Sequence, residues 1–330
     1  MAKKKGRVFS GARPTGKQHL GNYLGAIKNY VALQDTYEET IYSIVDIHAL
    51  TTIETTKDLP QNTYEMALDW LAAGIRPEKS IIFIQSHVPE VVELHIFLSM
   101  VTPLGKLTDL PTFKDKIRQQ PYNVNYGLVG YPVLMAADIA LYKAVAVPVG
   151  VDQAPHIEFT REIVRSFNYR YNTNVLVEPQ MVATEFPKIL GIDGKNKMSK
   201  SLNNHIELAA TPEETQKRVM QMVTDPQRAR RSDPGNPDVC NVFTLHKIFS
   251  SPEEVTMINT ECRRAGIGCV DCKKIFAKNL NEHLAPFRER RSEIAKDPDY
   301  IQDVLRDGAE RARAIARVTI TEVKEAIGLP

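Results

Sequence analysis

Residues 7–22, RVFSGARPTGKQHLGN, decide the fold. Arg7–Ala12 reads as a short buried strand, and the loop behind it carries Pro14, Gly16 and Gly21 before an apolar helical pattern runs over Gly21–Leu33. A strand that passes through a glycine-containing turn into a helix is the opening unit of a βαβ fold. The glycines let the backbone turn tightly and approach a ligand. The helix that begins near Gly21 points its free N–H groups and positive dipole end at the same place, a natural seat for a triphosphate. A plain connection accounts for the glycines alone. It does not account for the string Pro14-Thr-Gly-Lys-Gln-His19-Leu-Gly-Asn22.

Thr40–Asp46 (TIYSIVD), Ser80–Gln85 (SIIFIQ) and Val147–Gly150 read as further buried strands. Pro60–Gly74 reads as a helix opened by proline and closed by glycine, and another helix follows the fourth strand to about Ser166. This rhythm predicts an α/β chain: a Rossmann-like doubly wound parallel sheet with its ligand site at the carboxyl ends of the strands. After residue 205 the pattern becomes helical. Thr211-Pro-Glu-Glu214 and Ser251-Pro-Glu-Glu254 are capping boxes with proline at the first helical position, and Asp271–Leu284 and Asp303–Ile327 are long helical stretches. The expected division is a catalytic domain over 1–205, a smaller all-helical domain over 206–295, and a C-terminal helix over 296–330 that packs back towards the first.

Of 330 residues 43% are apolar, enough for a sizeable core, yet no apolar run approaches the ~20 residues that span a bilayer. Met1-Ala-Lys-Lys-Lys-Gly6 has the basic start of a signal peptide, but Arg7 and Arg13 break up the next residues and no apolar stretch forms, so a soluble cytoplasmic protein is expected. Lysine and arginine number 42 against 40 acids, for a net charge of +2. That balance argues against non-specific coating of nucleic acid while leaving room for a local basic patch.

A second motif, Lys197-Met-Ser-Lys-Ser201, comes after the glycine-containing stretch Gly191–Gly194. Two lysines flanking a serine on a loop can follow charge onto a departing pyrophosphate. Alone, such a pentapeptide is usually a solvated loop; paired with the first segment it carries chemistry. Together they resemble the HIGH and KMSKS signatures of class I aminoacyl-tRNA synthetases, with His19-Leu-Gly-Asn22 standing for the first in the form usual in tryptophanyl members. The resemblance covers essentially the whole chain, through Asp46-Ile-His-Ala-Leu-Thr51, Tyr131-Pro-Val-Leu-Met-Ala-Ala-Asp-Ile139, Val147-Pro-Val-Gly-Val-Asp-Gln153, His156-Ile-Glu158 and Arg231-Ser-Asp-Pro-Gly235.

The resemblance implies ATP-dependent attachment of L-tryptophan to tRNA(Trp) through an adenylate, without a protein nucleophile. It implies that Arg13, Pro14, Thr15, His19, Gly21 and Asn22 hold ATP, together with Ile189, Met198, Ser199 and Ser201 around the second signature. Lys197 and Lys200 neutralise the developing pyrophosphate, a task shared with Mg²⁺. Lys116, in Phe113-Lys-Asp-Lys116, is a further phosphate candidate whose alternative is a solvated lysine. Gly150, Val151 and Asp152 approach the ribose, although the family usually has a glutamate where Val151 stands, which puts a side-chain role there in doubt. A homodimer is also implied.

For the amino acid, the indole N–H is a donor with no acceptor of its own, so its pocket must be broad, apolar and furnished with one acceptor. Asp138 resembles the family's indole-reading carboxylate. Tyr131, Met135 and Asp138 fall on one helix face, and His48, Phe9 and Gln153 are neighbours by resemblance. The competing account of Asp138 is a cap or a surface acid, but its apolar flanks would make an unpaired carboxylate costly. Tyrosyl enzymes share the fold and can carry a similar Ala-Ala-Asp-Ile string, and a non-catalytic paralogue that binds tRNA or tryptophan is the reading of a different class. The Arg228-Ala-Arg-Arg231 run is either a solvated helix end or a phosphate contact.

Cys240, Cys262, Cys269 and Cys272 all lie in the last third. Four thiolates suit a [4Fe–4S] cluster or structural zinc, and ordinary buried thiols are the third account. The spacing, a close triplet with one distant partner, resembles the iron–sulfur subset of the family.

Overall fold

Five strands form one parallel sheet in the order β3-β2-β1-β4-β5, with β1 at Lys4–Ala12, β2 at Tyr37–Ile44, β3 at Ser80–Ile84, β4 at Ala144–Val149 and β5 at Gln180–Ala183. The computed structural model describes residues 4–119, 121–183 and 189–330. In β1, Val8 and Phe9 are buried together with Ser10, as a strand covered on both faces requires. The register pairs Phe9 with Ile41 and Gly11 with Ser43 on one side and Val8 with Ala146 on the other. Four of the five strands lie where the sequence pattern places them. β5 is the exception, because QMVA is short and half-exposed and gives no buried run.

The helices fall close to their sequence signals. Leu59–Ala73 carries proline in its first turn and ends at Gly74. Ala154–Arg170 follows β4, and both capping boxes form, at Thr211–Glu214 and Ser251–Glu254. The Pro298–Ile327 helix packs on β3 so closely that a Cβ on Gly308 would stand 1.8 Å from the Ile82 carbonyl oxygen, which leaves room only for glycine. Glu90, 8% exposed, pins this helix by accepting from Arg313 Nε (3.1 Å) and Nη2 (2.9 Å) and from Arg317 Nε (3.3 Å).

By contact the chain forms two units. One is Met1–Gly16, Ala26–Pro187 and Ile294–Pro330; the other is Lys17–Gly25 with Lys188–Glu293. The boundary therefore falls earlier than residue 205, and the His19 turn belongs with the later residues. The reason is a backbone stitch: Leu20 N–H donates to Ile206 O (2.9 Å) and Leu208 N–H to Gln18 O (3.1 Å). No helix among the described residues is long and apolar enough to cross a membrane.

Candidate active site

In the first unit a cavity of about 330 Å³ opens at the carboxyl ends of β1 and β4, where the strand order reverses. Phe9, Ser10 and Gly11 come from β1, and Val147 and Val149 from β4. Tyr131, Met135 and Asp138 project from one face of the Tyr126–Leu141 helix, and His48, Gln153 and His156 complete the wall. All six residues expected in the amino-acid pocket line this one space.

Asp138 is 3% exposed and its charge is met by donors. His48 Nε2 lies 2.8 Å from Oδ2, and the Gln85 amide nitrogen donates to Oδ1 (2.8 Å) and Oδ2 (2.9 Å). Sequence reasoning misses Gln85, since a glutamine closing a strand gives no signal of the acid it meets. At the cavity mouth, Lys116 Nζ stands 3.3 Å from the Tyr131 ring centroid, and the Tyr131 hydroxyl donates to Thr112 Oγ1 (2.9 Å). Burial pushes the Lys116 ammonium down to about 8, and the Arg13 guanidinium nearby adds to the effect. Arg13 donates to Thr52 Oγ1 (2.9 Å), and burial lowers its pKa too. Arg13 and Lys116 thus line the same cavity as the Asp138 carboxylate.

In the second unit His19 caps the turn that begins at Leu20. Its Nδ1 accepts from the Asn22 N–H (3.3 Å), while the Asn22 side-chain oxygen accepts from the His19 N–H (3.1 Å). The asparagine in the fourth place of the signature completes this reciprocal cap. Burial, followed by Lys200, His205 and Lys197, drives the His19 pKa down to about 3. The ring is therefore neutral at pH 7, and with Nδ1 accepting, its proton sits on Nε2. A Cβ on Gly21 would come within 3.1 Å of the His19 ring and 3.2 Å of Met198 Cβ, so glycine lets the two signatures approach.

The loop of the second signature hangs on a residue that the sequence does not single out, Asn204, 2% exposed. Its Oδ1 accepts from Ser199 N–H (2.7 Å), and its Nδ2 donates to Lys197 O (3.3 Å) and Asp193 Oδ2 (3.0 Å). Hydrogen bonds from Asn196 and Asn204 hold the Asp193 carboxyl down at about 2. Ser199 and Ser201 pair hydroxyl to hydroxyl at 2.8 Å. Ile189 and Met198 are buried, and Ile189 O accepts the Met198 N–H (2.9 Å), so both serve the loop's packing.

Other expected ATP residues stand apart from the cavity. Pro14 and Thr15 line a separate depression with Asp58 and Asn62. Gly150 caps the short turn Val151–Gln153, and Val151 is 61% exposed there. The Asp152 side chain lies outside what the structure describes.

Residues 1–285 match the family model described as tRNA synthetases class I (W and Y). The chain belongs to this family. It is 46% identical over 326 residues to the tryptophan–tRNA ligase of Deinococcus radiodurans, with 98% of each chain covered. It is 45% identical to that of Thermotoga maritima, covering 98% of this chain and 99% of the other. Among solved structures, the Campylobacter jejuni tryptophanyl-tRNA synthetase complexed with ADP and tryptophan superposes with a TM-score of 0.87 at 34% identity, covering 98% of this chain and 100% of that one.

Within this synthetase the four cysteines all lie in the helical unit as free thiols. They come near enough to act on one another: burial first, then Cys240, Cys262 and Cys269, push the Cys272 thiol up to about 12. Arg228 Nη1 reaches Cys262 Sγ (3.8 Å) and Cys269 Sγ (3.9 Å). Yet among the described residues no three of His, Cys, Asp and Glu are grouped as ligands around a metal ion. The expected metal centre is therefore not visible as a ligand cage.

Proposed function

We infer that this chain attaches L-tryptophan to tRNA(Trp) at the expense of ATP. The observation that carries this reading is likeness to tryptophan–tRNA ligases over 98% of both chains. A buried acceptor in an otherwise largely apolar cavity, which an indole N–H can satisfy, supports it. The tryptophan carboxylate attacks the α-phosphorus of ATP, and pyrophosphate leaves with the P–O bond electrons. A ribose hydroxyl of the terminal adenosine then attacks the activated carbonyl, and AMP departs. Catalysis is positioning and charge stabilisation. Asp138 reads the indole N–H within walls from Tyr131, Met135, His48, Gln153 and Phe9. Arg13 and Lys116 bring positive charge to the phosphates in the first unit. Neutral His19 offers its Nε2–H in the second, where Lys197 and Lys200 take up charge on the leaving group. Mg²⁺, carried by the triphosphate, shares that charge. Tryptophan-dependent exchange of pyrophosphate into ATP tests the reading: exchange with tryptophan and none with tyrosine is expected, and a protein that binds tRNA without exchange is a non-catalytic paralogue.

Val92, Ile96 and Met100, four residues apart and 43%, 44% and 62% exposed, form an apolar stripe along the Glu90–Ser99 helix and its cap, on which a second copy of the chain would sit. A dimer mass by light scattering, lost in Ile96→Glu, checks this. The donor set of Cys240, Cys262, Cys269 and Cys272 suits a [4Fe–4S] cluster, with zinc as the other thiolate-loving candidate. A cluster held by these four thiolates would tie the helical unit together. About four irons per chain in anaerobically purified protein is the expected analysis; one zinc points to the second candidate, and no metal leaves four thiols.

A further inference from the structure

Two side chains hold the Asp138 carboxylate, and only His48 lines the cavity; Gln85 does not. Gln85 is 1% exposed, behind the acid, and touches no ligand space. Its amide is oriented by a contact on its other side, because Oε1 accepts the His48 backbone N–H (3.3 Å). A flipped amide would turn an oxygen onto the carboxylate. The residue after it is pinned as well: Ser86 donates from N–H (3.0 Å) and Oγ (2.5 Å) to Asp46. The short turns that follow β3 and β2, carrying Gln85 and His48, and the Tyr126–Leu141 helix therefore meet at one carboxylate.

We propose that Gln85 is the positioning residue for tryptophan specificity: its amide locks the plane of Asp138 so that Oδ1 keeps a lone pair for a ring N–H. Oδ2 already takes both His48 and Gln85, whereas Oδ1 takes only Gln85. A carboxylate has about four acceptor sites, so a further donor is met best at Oδ1. Without the amide, the carboxylate turns about its terminal torsion, which is intrinsically broad. The acceptor then loses its aim while the apolar walls remain. This rests on the reading of Asp138 as the indole acceptor.

The test compares tryptophan with 3-benzothienylalanine, in which sulfur replaces the ring N–H. Pyrophosphate exchange is measured for the full-length enzyme and for Gln85→Met, Gln85→Glu and Asp138→Ala. In both Gln85 variants the preference for tryptophan over the analogue should fall at least about tenfold, the scale of a hydrogen bond to a charged group. The loss should appear in the tryptophan KM, with kcat/KM for the analogue and the KM for ATP little changed. If both substrates lose equally in both Gln85 variants, the residue is merely structural and the proposal is overturned. If Asp138→Ala loses the preference while both Gln85 variants keep it, the positioning claim fails and the Asp138 reading stands. If Asp138→Ala keeps the preference, the reading and the proposal fall together.

Discussion

The amino-acid cavity and the loop of the second signature solve opposite problems. The cavity is walled by residues of β1, β4 and the Tyr126–Leu141 helix, and the Asp138 carboxylate in it is closed into a buried network. The Lys197–Ser201 loop lies outside the strands and helices, tied by the buried amide of Asn204 and by the Met198–Ile189 backbone bond. A small neutral ring needs discrimination by fixed shape and one aimed acceptor. A triphosphate that changes charge during the reaction needs cations that can follow it. Rigidity therefore sits where selection is made, and a tethered loop sits where charge moves.

The largest effect should break the cavity side. Asp138→Ala removes the only acid that lines that space among the described residues, so kcat/KM for tryptophan should fall by about 10³-fold or more, as in sites built to pair a substrate donor. The KM for ATP should hold, and selectivity against tyrosine and phenylalanine should go. Selectivity that survives means that another group reads the indole.

On the loop side, Lys197→Ala and Lys200→Ala should each slow adenylate formation by roughly 10²-fold, about 3 kcal/mol, while leaving tryptophan affinity nearly unchanged. Single-turnover rates decide this, and rates equal to the parent's in both variants would remove the lysines from the chemistry. Asn204→Ala should act in the same direction more weakly, about tenfold, because it loosens the backbone beneath those lysines without removing charge. An Asn204→Ala enzyme that instead loses tryptophan affinity would erase the contrast between the two regions.

The smallest expected effect is a pH dependence at the cavity mouth. Lys116, pushed down to about 8, is charged below that pH and neutral above it. If its charge attracts phosphate, the KM for ATP should rise by up to about tenfold per pH unit above 8. Lys116→Arg, whose guanidinium stays charged, should flatten the profile over pH 7–9. His19, held near 3, should add no inflection anywhere in that range. A profile unchanged by Lys116→Arg would assign the dependence to another group.

Much of the fold is written in local sequence. The βαβ rhythm, the proline and glycine that bound Leu59–Ala73, and the two capping boxes depend on neighbours within a few residues. Spacing alone puts Tyr131, Met135 and Asp138 on one helix face, and the two signature strings point to the family. Tertiary structure alone decides what those residues meet. Gln85 reaches Asp138 across 53 residues and His48 does so across 90. The Leu20–Ile206 stitch places the His19 turn in the later unit, and the Lys116 ammonium rests against Tyr131 rather than in water. The four thiols are brought near one another without forming a visible cage. A helix or turn is fixed by torsions and hydrogen bonds a few residues apart, which sequence spacing encodes directly. A buried donor is matched to its acceptor only when the sheet closes, because the cost of an unmet charge is set by whatever the rest of the chain brings to it.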